Sequence, residues 1–322
     1  MPTYDDVVAA RRRISPHLRE TPFYTYPALT SLVGTEVWVK HENHQPVGAF
    51  KVRGGVNLVA QLTDQERASG LITASTGNHG QSIAYAASLF GARAIVCVPE
   101  GANPVKVESI RGLGAEVVFH GDDFDDAREY CEATARKHGN RYVHSANEPA
   151  LIAGVGTYTL ELLEQRPDID TIVVPVGGGS GAAGACIVAK ALRPSIEVIG
   201  VQAEAAPAAY RAWKERRLVE DDTDTFAEGL ATRTSFELPQ SILWELLDDF
   251  VLVSDDDMRR AMLAMVECTR NLVEAAGAAS LAAALQLRER LAGRRVAVIC
   301  SGGNLSTEQL QDVLSLRESL SG

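Results

Sequence analysis

Two series of alternating strand-like and helix-like segments constrain the fold more than any other feature of this chain. In the first, Leu71–Ser75, Ala92–Val98 and Ala115–His120 read as strands, and Ser82–Phe90, Pro104–Leu113 and Phe124–His138 read as helices. The second series follows Asn147-Glu148-Pro149. It holds the strands Thr171–Val176, Glu197–Gln202, Phe250–Val253 and Arg294–Cys300, with a helix of small residues running to Leu192. Strands that recur with a helix between them run parallel and are covered by those helices. The pattern predicts an α/β protein, and 322 residues suffice for one large domain or two smaller ones, each with its own core.

Local signals set further boundaries. Thr3 with Asp6 opens a first helix carrying Val7, Val8, Ile14 and Leu18, which the Thr21-Pro22 pair ends. Residues 36–42 read as a strand and Val52–Leu62 as a helix. Thr63 with Glu66 forms a capping box for a short helix closed by Gly70. Residues 214–235 are polar and irregular. Ser254 with Asp257 caps a helix whose Met258, Met262, Met265, Thr269 and Leu272 share one face, a stripe that reads as core packing. Ser306 caps the last helix with Gln309.

Composition narrows the function. A net charge of −11 without a basic tail argues against nucleic acid as a partner. No apolar run is long enough to span a bilayer, and Met1–Asp6 lacks the basic and apolar regions of a signal peptide. The five cysteines (Cys97, Cys131, Cys186, Cys268, Cys300) are scattered and lack metal spacing, which points to free thiols and a reduced, cytoplasmic setting. The acidic clusters Asp122-Asp123…Asp125-Asp126 and Asp221-Asp222…Asp224 lack EF-hand spacing and read as solvated helix starts or loops.

Four motifs carry chemistry. Lys51 stands in Gly48-Ala49-Phe50-Lys51-Val52-Arg53-Gly54-Gly55, just after a strand. An amine in a partly apolar site loses its proton more readily and can form a Schiff base with an aldehyde. Taken alone, Lys51 is better read as a surface lysine at a helix start. Gly177-Gly178-Gly179-Ser180-Gly181 joins an apolar strand to a helix, where close backbone approach and amides at a helix N-terminus suit a phosphate. That loop alone would also fit a dinucleotide fold, although its GxGxxG spacing is imperfect. Ser75-Thr76-Gly77-Asn78-His79 holds the equivalent place in the first series and can cradle a carboxylate; a plain helix cap would need only one of those residues. Ser301-Gly302-Gly303-Asn304 is a third loop at a strand end, where ligands of open α/β sheets bind.

In this order and at these distances the four motifs resemble the fold-type-II pyridoxal-phosphate enzymes, specifically the serine/threonine dehydratase and serine racemase group. The resemblance runs from about Val7 to Leu310. It implies two parallel-sheet α/β domains of the tryptophan synthase beta-like kind with the cofactor in the cleft: a large domain of residues 1–52 and 145–322, and a small mobile domain of residues 53–144. By position, Lys51 would hold the cofactor covalently, with Phe50 beside its ring and Asn78 on the ring hydroxyl. Gly177, Gly178, Gly179, Ser180 and Gly181 would bind its phosphate, and Ser301 would meet the pyridine nitrogen. Ser75, Thr76, Gly77, Asn78 and His79 would clamp the substrate carboxylate. Glu274 matches a glutamate near the ring, and a capping role is an equal reading.

The resemblance implies β-elimination from L-threonine or L-serine to a 2-oxo acid and ammonia by a homodimer or higher homo-oligomer. Lys51 would take the α-proton. Thr76 stands where racemases place a second acid/base serine, so serine racemase is one alternative. A second is a dehydratase-like protein of hydroxyectoine utilisation, which the His-Glu-Asn-His and Glu228-Gly229-Leu230-Ala231-Thr232-Arg233 patterns resemble. The alternative from another class is a nucleotide-binding oxidoreductase. This chain departs from the group at Ala49, at Ser180, and at His41 and His44. Gln202, Ala206 and Ala208 stand where racemase-like members carry cation ligands, so no metal is expected.

Overall fold

The computed structural model describes residues 1–122 and 124–320; Asp123 of the first acidic cluster lies outside the described residues. The chain begins with α1 (Tyr4–Ile14), β1 (Phe23–Thr25), α2 (Pro27–Val33), β2 (Glu36–His41), α3 (Lys51–Val59) and α4 (Asp64–Ser69). Then come β3 (Leu71–Ala74), α5 (Asn78–Leu89), β4 (Ala94–Val98), α6 (Pro104–Gly112), β5 (Glu116–Phe119), α7 (Phe124–His138) and β6 (Arg141–Tyr142). The remainder is α8 (Pro149–Gln165), β7 (Thr171–Pro175), α9 (Ser180–Leu192), β8 (Glu197–Ala203), α10 (Ala208–Glu215), α11 (Glu237–Leu246), β9 (Asp249–Val253), α12 (Asp255–Thr269), α13 (Ala275–Gln286), β10 (Arg295–Cys300) and α14 (Thr307–Leu320).

These elements form two compact units. The smaller holds residues 2–19 and 51–157; the larger holds residues 20–50 and those from Tyr158 onward. The chain therefore passes between units at Arg19–Glu20, at Phe50–Lys51 and again within α8. The smaller unit carries a four-stranded parallel sheet in the order β5-β4-β3-β6. Ile72, Ala74, Cys97, Cys131 and Ala135 form a core between that sheet and α7. The larger unit carries a six-stranded sheet, β1-β2-β10-β7-β8-β9, parallel except where β1 runs antiparallel to β2. Alanine-rich α13 packs against this sheet with its residues from Ala275 to Ala284 buried, since small side chains let a helix approach a sheet closely.

The capping boxes of Thr3/Asp6 and Thr63/Glu66 form with both bonds in place, and Ser254 accepts from the Asp257 amide. Met258, Met262, Met265 and Thr269 are buried as the stripe requires, but Leu272 lies beyond the helix end and is 51% exposed. The first helix stops at Ile14 rather than running toward Leu18, because Pro16 has no N–H to continue the ladder. The helix after β3 begins at Asn78 rather than Ser82: the Ser75 hydroxyl accepts from the Gly77 and Gly80 amides and starts the helix four residues early.

One polar feature lies deep in the larger unit. Lys40 on β2 and Glu161 on α8 form an ion pair at 2.6 Å with side chains 0% and 2% exposed, and the ammonium also donates to the Thr21 carbonyl at 2.9 Å. Removing one partner takes this counter-ion away from a buried charge. Glu161→Gln is expected to lower the unfolding free energy by about 3–5 kcal/mol in denaturant titration, whereas Lys40→Met with Glu161→Leu should cost far less. Equal losses would contradict this account of the pair.

Candidate active site

Register at one pair of strands builds the larger unit's part of the site. β10 pairs with β2 in parallel up to Cys300 opposite His41. Beyond those ends the two chains stay together: the Phe50 amide donates to the Ser301 carbonyl at 3.0 Å, and the Gly303 amide donates to the Gly48 carbonyl at 2.8 Å. Ser301 is 6% exposed, and its hydroxyl has no hydrogen-bond partner among the described residues. Glu274 precedes α13, and its amide donates to the Gly302 carbonyl at 3.2 Å. Its Oε1 occupies the space that a side chain at Gly302 would need, so a larger residue there would displace the Glu274 carboxylate. Glu274 is the N-cap residue of α13, but its side chain makes no capping bond.

The Gly177–Gly181 loop leads from β7 into α9. Gly179 is left-handed, at φ 89°, and is the N-cap of a 13-residue helix with no side-chain cap and no acidic residue in its first turn. A buried helix start without a side-chain acceptor favours an anion. Gly177 has a separate reason to be glycine, because a Cβ there would run into the Gly229 carbonyl. A Cβ on Gly181 would lie 3.2 Å from the Phe50 ring and 3.3 Å from the Tyr158 hydroxyl. Tyr158, 1% exposed, donates to the Gly181 carbonyl at 2.8 Å and stands edge-on to Phe50, with ring centroids 6.1 Å apart. The larger unit thus brings Phe50, Gly181, Ser301 and Glu274 into one neighbourhood. Ser180 is buried.

In the smaller unit Lys51 begins α3, whose packing against α5 allows the Ser82 hydroxyl to donate to the Lys51 carbonyl at 2.7 Å. The Lys51 amine donates to the Ser145 carbonyl at 3.4 Å, and burial pulls its pKa down to about 8. The loop before α5 divides its work. The Ser75 hydroxyl is taken by the two amides that start the helix, whereas the half-buried Thr76 hydroxyl has no hydrogen-bond partner among the described residues. Thr73 donates to the Val143 carbonyl at 2.8 Å, so it must accept from His79 Nε2 at 2.9 Å. His79 is buried and neutral: burial first and the Lys51 charge second push its pKa down to about 3. His144 accepts from the amides of Ala146 and Asn147 through Nδ1, and burial lowers its pKa as well. Lys51 therefore has uncharged histidines beside it. Asn78 is half-buried in the first turn of α5.

Comparison with known proteins now bears on this geometry. The family model described as "Pyridoxal-phosphate dependent enzyme" matches residues 14–302. This chain belongs to the pyridoxal-phosphate-dependent enzymes. It is 35% identical over 318 residues to the L-threonine ammonia-lyase of Thermotoga maritima, covering 98% of this chain and 79% of that one. It is 34% identical to the L-threo-3-hydroxyaspartate ammonia-lyase of Saccharomyces cerevisiae, covering 99% and 98%. The solved structure of maize serine racemase superposes with a TM-score of 0.93 at 31% identity, covering 99% and 98%. The fold is the type-II arrangement of these enzymes.

The residues present fit pyridoxal phosphate. An uncapped helix start suits its phosphate, the unpartnered Ser301 hydroxyl suits a ring nitrogen, and a lysine of lowered pKa suits its aldehyde. Among the described residues, no group of three or more His, Cys, Asp or Glu is placed to hold a metal. Sequence reasoning missed Tyr158, Thr73 and the Ser145 carbonyl. A Tyr in a helix and a backbone carbonyl carry no local signature.

A lysine with a lowered pKa makes two connected predictions. Between pH of about 8 and 10.5 the unfolded lysine keeps a proton that the folded one has lost, so stability of the cofactor-free protein should rise with pH across that window. Over the same range, capture of added pyridoxal phosphate should rise through about pH 8 and then level off, followed by the growth of near-visible absorption. A capture rate still climbing toward pH 10.5 would contradict the buried amine.

Proposed function

We propose that this enzyme eliminates the β-hydroxyl of L-threonine or L-serine and releases a 2-oxo acid and ammonia. The observation that carries the reading is Ser301, whose buried hydroxyl has no hydrogen-bond partner among the described residues and would meet the ring nitrogen. When bound, pyridoxal phosphate withdraws electron density from the substrate α-carbon and makes its hydrogen acidic. A hydroxyl at the ring nitrogen holds a proton there less firmly than a carboxylate would, which favours prompt loss of a β leaving group over a long-lived α-carbanion.

In this reading Lys51 holds the cofactor and then takes the α-proton with its neutral amine. The Gly177, Gly178, Gly179, Ser180 and Gly181 backbone receives the phosphate, Phe50 flanks the ring, Asn78 meets the ring hydroxyl, and Glu274 borders the ring. Thr76, Asn78 and His79 receive the substrate carboxylate through amides and the Thr76 hydroxyl, while Ser75 and Gly77 hold that loop in shape. Tyr158 acts on the phosphate loop through the Gly181 carbonyl. Residues 53–144 move as a small domain. The enzyme works as a cytoplasmic homo-oligomer; the absence of disulfides among its cysteines and of any membrane-length apolar helix among the described residues supports that setting.

The yeast relative, named for L-threo-3-hydroxyaspartate, and the maize structure, named for serine racemase, favour a second reading: a 3-hydroxylated dicarboxylic substrate, or inversion at the α-carbon. Membership of the pyridoxal-phosphate family removes the support for a nucleotide-binding oxidoreductase. One assay separates the remaining readings: 2-oxo acid release from L-threonine, L-serine and L-threo-3-hydroxyaspartate, beside D-serine formation from L-serine, for the native enzyme and Thr76→Ala. The expected result is fastest release from threonine or serine. Thr76→Ala should keep most of that release and lose about 10-fold or more of any D-serine formation, because inversion needs acid/base groups on both faces. Release from the dicarboxylic acid alone, or equal loss of both products, would overturn it.

A further inference from the structure

The His41-Glu42-Asn43-His44 turn is absorbed by none of the roles above, yet its side chains tie together three segments of the larger unit. Asn43 Oδ1 accepts from the Cys300 thiol at 3.3 Å, one residue before Ser301. Asn43 Nδ2 donates to the Leu272 carbonyl and to Asn271 Oδ1, each at 3.3 Å. Asn271 Nδ2 in turn donates to the Thr269 carbonyl at 2.9 Å, which leaves its Oδ1 as an acceptor. His44 Nε2 lies 2.6 Å from that Oδ1 and must therefore carry the hydrogen. Arg270, in the left-handed region at φ 63°, turns the chain out of α12 into the segment that ends at Glu274. Asn43 also fills the space beside Gly303, where a Cβ would come within 3.2 Å of its own. Behind the turn, His41 is fully buried, stacks on His44 with centroids 5.2 Å apart, and shares a 2.8 Å hydrogen bond with the Tyr26 hydroxyl.

We propose that Asn43 and His44 are positioning residues that fix the Ser301 hydroxyl and the Glu274 carboxylate against the cofactor ring, working through Cys300, Leu272 and Asn271. The inference rests on the reading that Ser301 meets the ring nitrogen. Every hydrogen bond in the clamp has its donor and acceptor assigned by a neighbour, so it holds one geometry rather than several. The 300–304 loop has main-chain bonds on one side to residues 48 and 50 and on the other to Glu274. Asn43 is the side chain that reaches both the strand before that loop and the segment before Glu274. Loosening it shifts the ring-nitrogen partner without touching the phosphate loop or the carboxylate loop. The loss should therefore fall on kcat with KM little changed, together with a change in the near-visible absorption of the bound cofactor.

The test is kcat, KM and absorption for the cofactor-loaded enzyme carrying Asn43→Ala, alone and with Ser301→Ala. Asn43→Ala is expected to lower kcat about 10-fold in the native background and less than about 2-fold once Ser301 is already alanine. His44→Phe, which keeps a ring to stack on His41 but cannot donate, should lose several-fold in kcat. His44→Gln, which can still donate to Asn271, should restore most of it. These two variants decide the matter if Asn43→Ala does not fold. The same factor lost in both backgrounds, or His44→Gln and His44→Phe behaving alike, overturns the proposal. If Ser301→Ala itself leaves kcat and absorption unchanged, the assignment of Ser301 to the ring nitrogen fails and this proposal fails with it. A normal Ser301 effect with an inert Asn43 removes this proposal alone.

Discussion

Pairing of β10 with β2 is the constraint on which the larger unit's part of the site depends. The two strands are far apart in sequence, yet their register closes at Cys300 opposite His41. From there the chain after β2 runs to Phe50 alongside the loop that bears Ser301, and the amide of Phe50 is bonded to the Ser301 carbonyl. A slip of one residue would turn every side chain of β10 to the other face of the sheet. Buried residues on both faces of the strand, from Val296 to Cys300, make such a slip costly. The position of Ser301 thus follows from hydrophobic burial several residues upstream.

Charge is rationed in the same way. In the smaller unit Lys51 has a carbonyl at 3.4 Å and two histidines whose burial keeps them neutral, and its own burial disfavours the ammonium form. Desolvation then delivers an amine that loses its proton at about pH 8. The larger unit offers dipoles instead, in the amides at the start of α9 and the hydroxyl of Ser301. A phosphate finds partial positive charge at a helix start without a lysine or arginine competing for it. The buried Lys40–Glu161 pair shows the opposite solution, in which an ammonium is kept charged by a carboxylate at 2.6 Å. Two lysines eleven residues apart thus have different surroundings.

Much of this was legible in the sequence because the signals were local. Capping residues placed the starts of α1, α4 and α12, and the strand-end loops stood out by their glycines and hydroxyls. What stayed hidden depends on distant partners. Helix α8, strand β1 and helix α13 went unread: α13 is almost uniformly small and apolar, with no amphipathic period to find. The early start of α5 depends on the Ser75 side chain folding forward onto the Gly80 amide, four residues before the helix start read at Ser82. Leu272 fitted the methionine stripe by spacing, but Arg270 ends the helix before that residue. Tyr158 gains its place only when α8 meets the Gly181 carbonyl, and the Asn43–Asn271 clamp joins residues more than two hundred positions apart.

The central claim is that Lys51 is the residue that binds the cofactor aldehyde. Borohydride reduction of the pyridoxal-phosphate-loaded enzyme fixes that bond permanently, and peptide mass mapping then reports which lysine carries the added mass. The account requires the increment on the peptide containing Lys51 and on no other lysine peptide. An increment on a different lysine, or no increment in protein that shows the near-visible absorption, would contradict it.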